Sequence, residues 1–247
     1  GHTPIYRSIM VGDQPLGPIV HDLTNGKINP HDQAHLDPDL DAGSVPRPPG
    51  WKPLFGQCGI AERHLQRTGV DKGDLFLFFG WFQQVEQRNG RYRYVPGAPP
   101  LHVLFGWLQI ERRIDVTQHE QIPLWAVEHP HAQGIRRSKP DSLYISADRL
   151  VLPGIEIDAP GAGVFRRFDQ NLCLTAPGQT RSIWQLPPWF YPQAYKPALT
   201  YHARATRWRR TDEATLLQTV GQGQEFVLDA DAYPEAIPWV AQLLSCR

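Results

Sequence analysis

The chain reads as an α+β protein built on a central, mostly antiparallel β-sheet with a few flanking helices. Three observations predict this. Two apolar, aromatic-rich stretches, Gly73-Asp-Leu-Phe-Leu-Phe-Phe-Gly-Trp-Phe82 and Leu101-His-Val-Leu-Phe-Gly-Trp-Leu-Gln-Ile110, have strand composition and nearly repeat each other. Proline (24) and glycine (21) are both frequent among 247 residues, which favours short strands and many turns over long helices. Clear helical patterning appears in two segments, 57–68 and 231–244.

Each element follows from local chemistry. Neither aromatic stretch alternates cleanly, so both are expected to be central strands covered on two faces. Gly80 and Gly106 inside them mark a bulge or a close approach of another backbone or a ligand. Asn89-Gly90, between Arg88 and Arg91-Tyr-Arg-Tyr94, is a hairpin turn signal. Gln57–Thr68 is expected to be a helix with Ile60, His64 and Leu65 on one face, closed by Gly69. Residues 17–23 form either a short strand or a helical turn. Further strands are expected at 143–146, 150–153, 161–168 and 181–186, and a closing hairpin at 216–220 and 224–228. Asp231 is the expected cap of a C-terminal helix whose apolar face is Ile237, Val240, Ala241 and Leu244. The chain divides into a loop-rich part, 1–56, and a helix-plus-sheet core, 57–247, within one domain.

Charge is balanced, with 25 basic and 25 acidic residues, so a case for nucleic acid must rest on local clusters. The cysteines Cys58, Cys173 and Cys246 are dispersed, with no CxxC pair, which points away from a structural zinc site or a disulfide framework and towards a reduced, cytoplasmic protein. No apolar run approaches membrane-spanning length. The chain begins Gly1-His2 without methionine, as expected of a processed or truncated protein.

Two stretches offer chemistry. His31-Asp-Gln-Ala-His-Leu-Asp-Pro-Asp-Leu40 carries His31 and His35 four apart and an H-x-D pair, His35 and Asp37. In an extended segment that pair presents imidazole and carboxylate on the same side. Glu128-His-Pro-His131 adds His129 and His131 from a loop, since proline disfavours a helix there. If the two loops meet, His31, His35, Asp37, His129 and His131 supply a metal site, with His35 and Asp37 as catalytic groups and Fe(II) or zinc as the cofactor. The competing reading is a polar loop in which Asp37 and Asp39 cap turns beside Pro38.

The paired Gly-Trp strands suggest a flat pocket for a base, lined by Trp81, Phe82, Trp107 and Gln109; the alternative is that both tryptophans fill the core. Arg204-Ala-Thr-Arg-Trp-Arg-Arg210 is the most basic stretch, and Arg136, Arg137, Arg166, Arg207 and Arg209 are the candidate phosphate contacts. No G-x-S-x-G elbow, P-loop or Rossmann pattern occurs.

Taken together, His35-Leu-Asp-Pro-Asp-Leu40, the two Phe-Gly-Trp strands, His129-Pro-His131, Pro160-Gly-Ala-Gly-Val-Phe165 and Gly223-Gln-Glu-Phe-Val-Leu-Asp229 resemble the nucleotide modification associated domain family, third type, over most of the chain. That resemblance implies association with nucleic-acid or nucleotide modification, and nucleic acid or a nucleotide as partner. The order of helix, Gly-Asp strand, hairpin and Phe-Gly-Trp-Leu strand is also similar to PUA-like barrels, including ASCH and EVE domains, which bind RNA or modified bases in an aromatic pocket. It implies a barrel-like sheet. The expected function is therefore binding of a base or nucleotide, with modification at the His/Asp metal site. The alternatives are a metal-dependent oxygenase or hydrolase acting on a small molecule, and a non-catalytic binding or assembly protein.

Overall fold

The computed structural model describes residues 3–133, 139–221 and 223–246. In chain order its strands are β1 (Met10–Val11), β2 (Gln14–Pro15), β3 (Leu54–Cys58), β4 (Leu75–Phe82), β5 (Val85–Arg88), β6 (Arg91–Tyr94), β7 (Leu101–Asp115), β8 (Asp141–Ser146), β9 (Ala162–Val164), β10 (Ile183–Leu186), β11 (Trp208–Arg210) and β12 (Thr215–Gln218). The helices are α1 (Leu16–Leu23), α2 (Gly59–Arg67) and α3 (Ala236–Leu244). No helix among the described residues is long and apolar enough to cross a membrane.

The two Phe-Gly-Trp strands pair with each other. Leu75 faces Gln109 and Phe82 faces Leu101, antiparallel, with β7 also bonded to β9 and β8. The main sheet runs β3-β8-β7-β4, so β7 is central as its composition predicts, whereas β4 is an edge strand. Every strand pairing is antiparallel, but among the described residues no closed barrel forms. The barrel part of the expectation is not found: β10, β12 and β11 make a separate three-stranded sheet. Gly106 sits beside a register shift in β7, and a Cβ there would lie 2.8 Å from the Gly163 carbonyl oxygen of β9. The strand glycine thus allows a third strand to approach.

Asn89 and Gly90 both take positive φ, 52° and 76°, the backbone of a type I′ turn joining β5 to β6. Helix α2 starts two residues later than expected because Gln57 and Cys58 complete β3. Its inward face also differs. Ile60 is 85% exposed, while Glu62 and Leu65 are buried. Helix α3 begins at Ala236, and Asp231 lies in the preceding turn with its N–H donating to Asp229. Among the described residues the hairpin expected from 216–220 and 224–228 does not form, because β12 is already paired on both edges, to β10 and β11.

The core is layered on both faces of the main sheet. Val103, Leu104, Trp184, Leu186 and Leu217 fill the space between the two sheets, and Leu65, Leu108, Ile110 and Tyr144 fill the opposite face. Each fully buried Leu or Ile contributes about 1.5–3 kcal/mol. Two histidines lie in or beside the first cluster as neutral acceptors. The Trp184 indole donates to His102 Nδ1 at 2.9 Å. His202 donates from Nδ1 to the Thr200 carbonyl and accepts the Val220 N–H at Nε2. Burial pushes both rings below the ordinary 6.5. At these two rings the unfolded chain therefore binds more protons than the folded one just below pH 6.5, and their contribution to stability falls as pH falls through that point. The limiting slope is about 1.4 kcal/mol per pH unit for each ring. Urea midpoints at pH 7.5 and 5.5, measured for wild type and His202→Asn, test this. Relative to the wild type the variant's midpoint is expected to rise at pH 5.5, because it lacks the ring that burial keeps neutral, and an identical pH response of the two proteins contradicts it.

Candidate metal centre

The site assembles on the outer edge of β3. Asp39 and Leu54 exchange both backbone hydrogen bonds, 2.9 and 3.0 Å, which clips the 35–40 segment to that strand. Arg47 grips the Asp39 carboxylate with both terminal nitrogens, 2.6 and 2.5 Å, and its guanidinium stacks on Trp51 at 4.0 Å. Two residues earlier, Asp37 accepts the Gly56 N–H at 2.8 Å. An extended segment with period two thus clamps Asp39 structurally and leaves Asp37 facing the site.

The His129-Pro-His131 turn enters from the other side. It follows a 3₁₀ turn, Leu124–Ala126, that packs with Ile122 against Ile114, Leu143 and Ile145. The His131 ring packs directly against β3 because residue 56 has no side chain. A Cβ there would be 2.5 Å from His131 Cγ and 2.9 Å from Nε2. His131 Nε2 is 3.2 Å from Asp37 Oδ2, and Nδ1 is 2.5 Å from Asp141 Oδ1. The His35 and His131 rings meet edge-on at 5.8 Å, and His129 lies 5.7 Å from His131. His129 Nε2 reaches to 3.5 Å of Asp37 Oδ1 but is buried and makes no hydrogen bond among the described residues.

Charge in this cluster is tightly coupled. Burial pushes the Asp37 carboxyl up, but His129, His131 and the Gly56 N–H outweigh it and hold the group at about 2. Burial disfavours the His131 cation, yet its hydrogen bonds to Asp37 and Asp141 raise it above 6.5. One ligand atom each from His35, Asp37 and His131 lies within 4.8 Å of the other two, with His35 exposed and His131 buried. A second such group is Cys58, His131 and Asp141. The β3–β8 register places Cys58 directly opposite Asp141.

The structure therefore brings together His35, Asp37, His129 and His131. His31 is exposed and contacts Arg7 at 3.5 Å instead. Trp107 is 2% exposed, with its indole N–H bonded to the Pro160 carbonyl. The Gln109 amide is used by Gly73 and Val151. Trp81 and Phe82 are exposed, at 63% and 44%, and the Arg181 guanidinium stacks on Trp81 at 3.9 Å. Trp81 and Trp107 thus do not share a pocket: one is surface and the other core. Arg166 pairs with Asp41 at 3.0 Å, Arg207 donates to the Gln218 and Thr219 carbonyls, and Arg209 is exposed on β11. Arg136 and Arg137 lie outside the described residues. Depressions of about 580 Å³ along 149–158 and about 390 Å³ beside Cys173 and Trp239 are lined by other residues.

Sequence reasoning missed Cys58, Gly56 and Asp141. An acidic residue opening a strand right after Pro140 was the one local signal for Asp141; Cys58 carried none.

No curated protein and no solved structure matches the chain. A family model does, described as nucleotide modification associated domain 3, over residues 1–229, a span that contains every residue of the cluster. With that match covering nearly the whole sequence, the chain belongs to the nucleotide modification associated domain 3 family.

Proposed function

We propose that this protein modifies a nucleotide or a nucleic-acid base at a metal centre held by His35, Asp37 and His131. The observation that carries the reading is the convergence of two imidazoles and one carboxylate, their ligand atoms all within 4.8 Å. That donor set suits non-haem Fe(II) with open positions and suits zinc equally. A bound ion would supply Lewis acidity to activate water or dioxygen.

The chain's own residues prepare the set. The Gly56 N–H orients Asp37. Asp141 accepts from His131 Nδ1, which fixes the ring and turns Nε2 towards Asp37. The buried His129 Nε2, 3.5 Å from Asp37 Oδ1 and without a hydrogen bond among the described residues, stands beside the set as a further donor. His35 at the exposed rim leaves the substrate side open to solvent. Family membership supports nucleotides as the substrate class.

Elemental analysis of protein purified without chelator tests this. At least one equivalent of iron or zinc is expected in the wild type, reduced by about one equivalent in His35→Ala and absent in His131→Ala. Wild-type protein with no metal, and none acquired from added Fe(II) or zinc, overturns it.

A second reading, a surface that holds single-stranded nucleic acid, is favoured by Trp81, exposed and capped by Arg181 beside exposed Phe82. Base stacking on an aromatic ring contributes about 1–3 kcal/mol. Trp81→Ala is then expected to weaken oligonucleotide binding at low salt by about tenfold or more, measured by fluorescence anisotropy. Equal binding by the variant removes this reading.

A further inference from the structure

We infer that His131 bridges two cation positions, the second made by its Nδ1 side together with Cys58 and Asp141. The first position is the centre proposed above, and the inference rests on that reading for its outer half.

Four observations converge on the second position. The antiparallel pairing of β3 and β8 sets Cys58 against Asp141, at the end of β8 nearest the His131 ring. One donor atom from each of Cys58, His131 and Asp141 lies within 4.8 Å of the other two. The two ring nitrogens of His131 face different carboxylates, Nε2 towards Asp37 and Nδ1 towards Asp141, so one imidazole can serve both sides. Asp141 is only 4% exposed, and its second oxygen, Oδ2, is buried without a hydrogen-bond partner among the described residues. A buried carboxylate oxygen with no donor is unfavourable, and a cation shared with the neighbouring thiolate answers it.

The two positions differ in character. The outer one has an exposed histidine at its rim and only nitrogen and oxygen donors. The inner one combines a half-buried thiol with two buried groups. Thiolate, imidazole and carboxylate together select a zinc-like ion. The inner ion would lock His131 and Asp141 in place while the outer ion faces substrate. Filling the inner position releases the Cys58 thiol proton and the proton between His131 and Asp141 to solvent; nothing is oxidised or reduced.

The test is titration of metal-free full-length protein with Co(II), counting bound equivalents and following the near-ultraviolet thiolate-to-cobalt absorption. Two equivalents with that absorption are expected in the wild type. Cys58→Ser should lose the absorption and one equivalent. His35→Ala should lose the other equivalent and keep the absorption. One equivalent, lost in His35→Ala and untouched by Cys58→Ser, overturns the inner position and leaves the proposed centre standing. One equivalent that depends on Cys58 and ignores His35→Ala overturns the bridge and the proposed centre together, as does no binding. Should Cys58→Ser fold poorly, alkylation of wild-type Cys58 by iodoacetamide, mapped by peptide mass, decides: slowing by about tenfold with Co(II) supports the inner position, and equal rates with and without Co(II) overturn it.

Discussion

Replacing Gly56 with alanine is expected to cost about 2–3 kcal/mol of stability and to abolish metal uptake at the same time. The added Cβ would lie 2.5 Å from His131 Cγ and 2.9 Å from Nε2. The ring has nowhere to go. It is 1% exposed, held at 2.5 Å by Asp141 on one nitrogen and faced at 3.2 Å by Asp37 on the other. The strand cannot retreat either, because Gly56 is paired with Leu143 inside the β3–β8 ladder. Gly56 is not among the residues with positive φ, so the penalty is steric and not a backbone preference. The N–H that orients Asp37 survives the change, which isolates the effect to the ring. Urea unfolding and metal content measured on one preparation test it. A variant as stable and as metal-loaded as the wild type would mean that the His131 ring does not rest on β3.

Glu62→Ala is the second large effect, about 3–5 kcal/mol. Glu62 is completely buried and gathers donors from three elements: Ser142 Oγ and Tyr144 Oη on β8, each at 2.7 Å, Gln66 Nε2 within α2 at 2.7 Å, and Arg113 Nη1 on β7 at 3.3 Å. Burial and the Glu62 charge push the Tyr144 phenol up, so it remains a donor throughout the accessible pH range. Truncating Glu62 leaves those two hydroxyls buried with nothing to donate to, and leaves Arg113 without its partner. Glu62→Gln keeps the shape and part of the bonding and should cost clearly less. Because Ser142 follows Asp141 directly, the same network steadies the start of β8 beneath the His131 pair. Chemical denaturation of both variants checks the order. A loss below about 1 kcal/mol for Glu62→Ala would show that α2 is held by its apolar contacts alone.

Much of the architecture was legible in the residues because it rests on local chemistry. Composition and turn residues predicted an antiparallel α+β protein, Asn89-Gly90 predicted its type I′ hairpin, and the twin Phe-Gly-Trp strands pair with each other. The family resemblance, too, was carried by contiguous stretches, and the match over 1–229 confirms it. The donors His35, Asp37, His129 and His131 were visible as types at short spacings.

Direction and distance were another matter, since both depend on what covers each face. Trp81 and Trp107 occupy the same motif, yet β4 ends at the surface while β7 is walled by β9 and the core, so one is 63% exposed and the other 2%. Ile60 faces water and Glu62 faces inward, because the surface above α2 offers hydroxyls and an arginine that solvate a carboxylate better than they accommodate an alkyl chain. Cys58 and Asp141 are 83 residues apart and carry no shared pattern; only the β3–β8 register sets them face to face. Local spacing therefore told which side chains could do chemistry, and strand pairing with burial decided which of them meet.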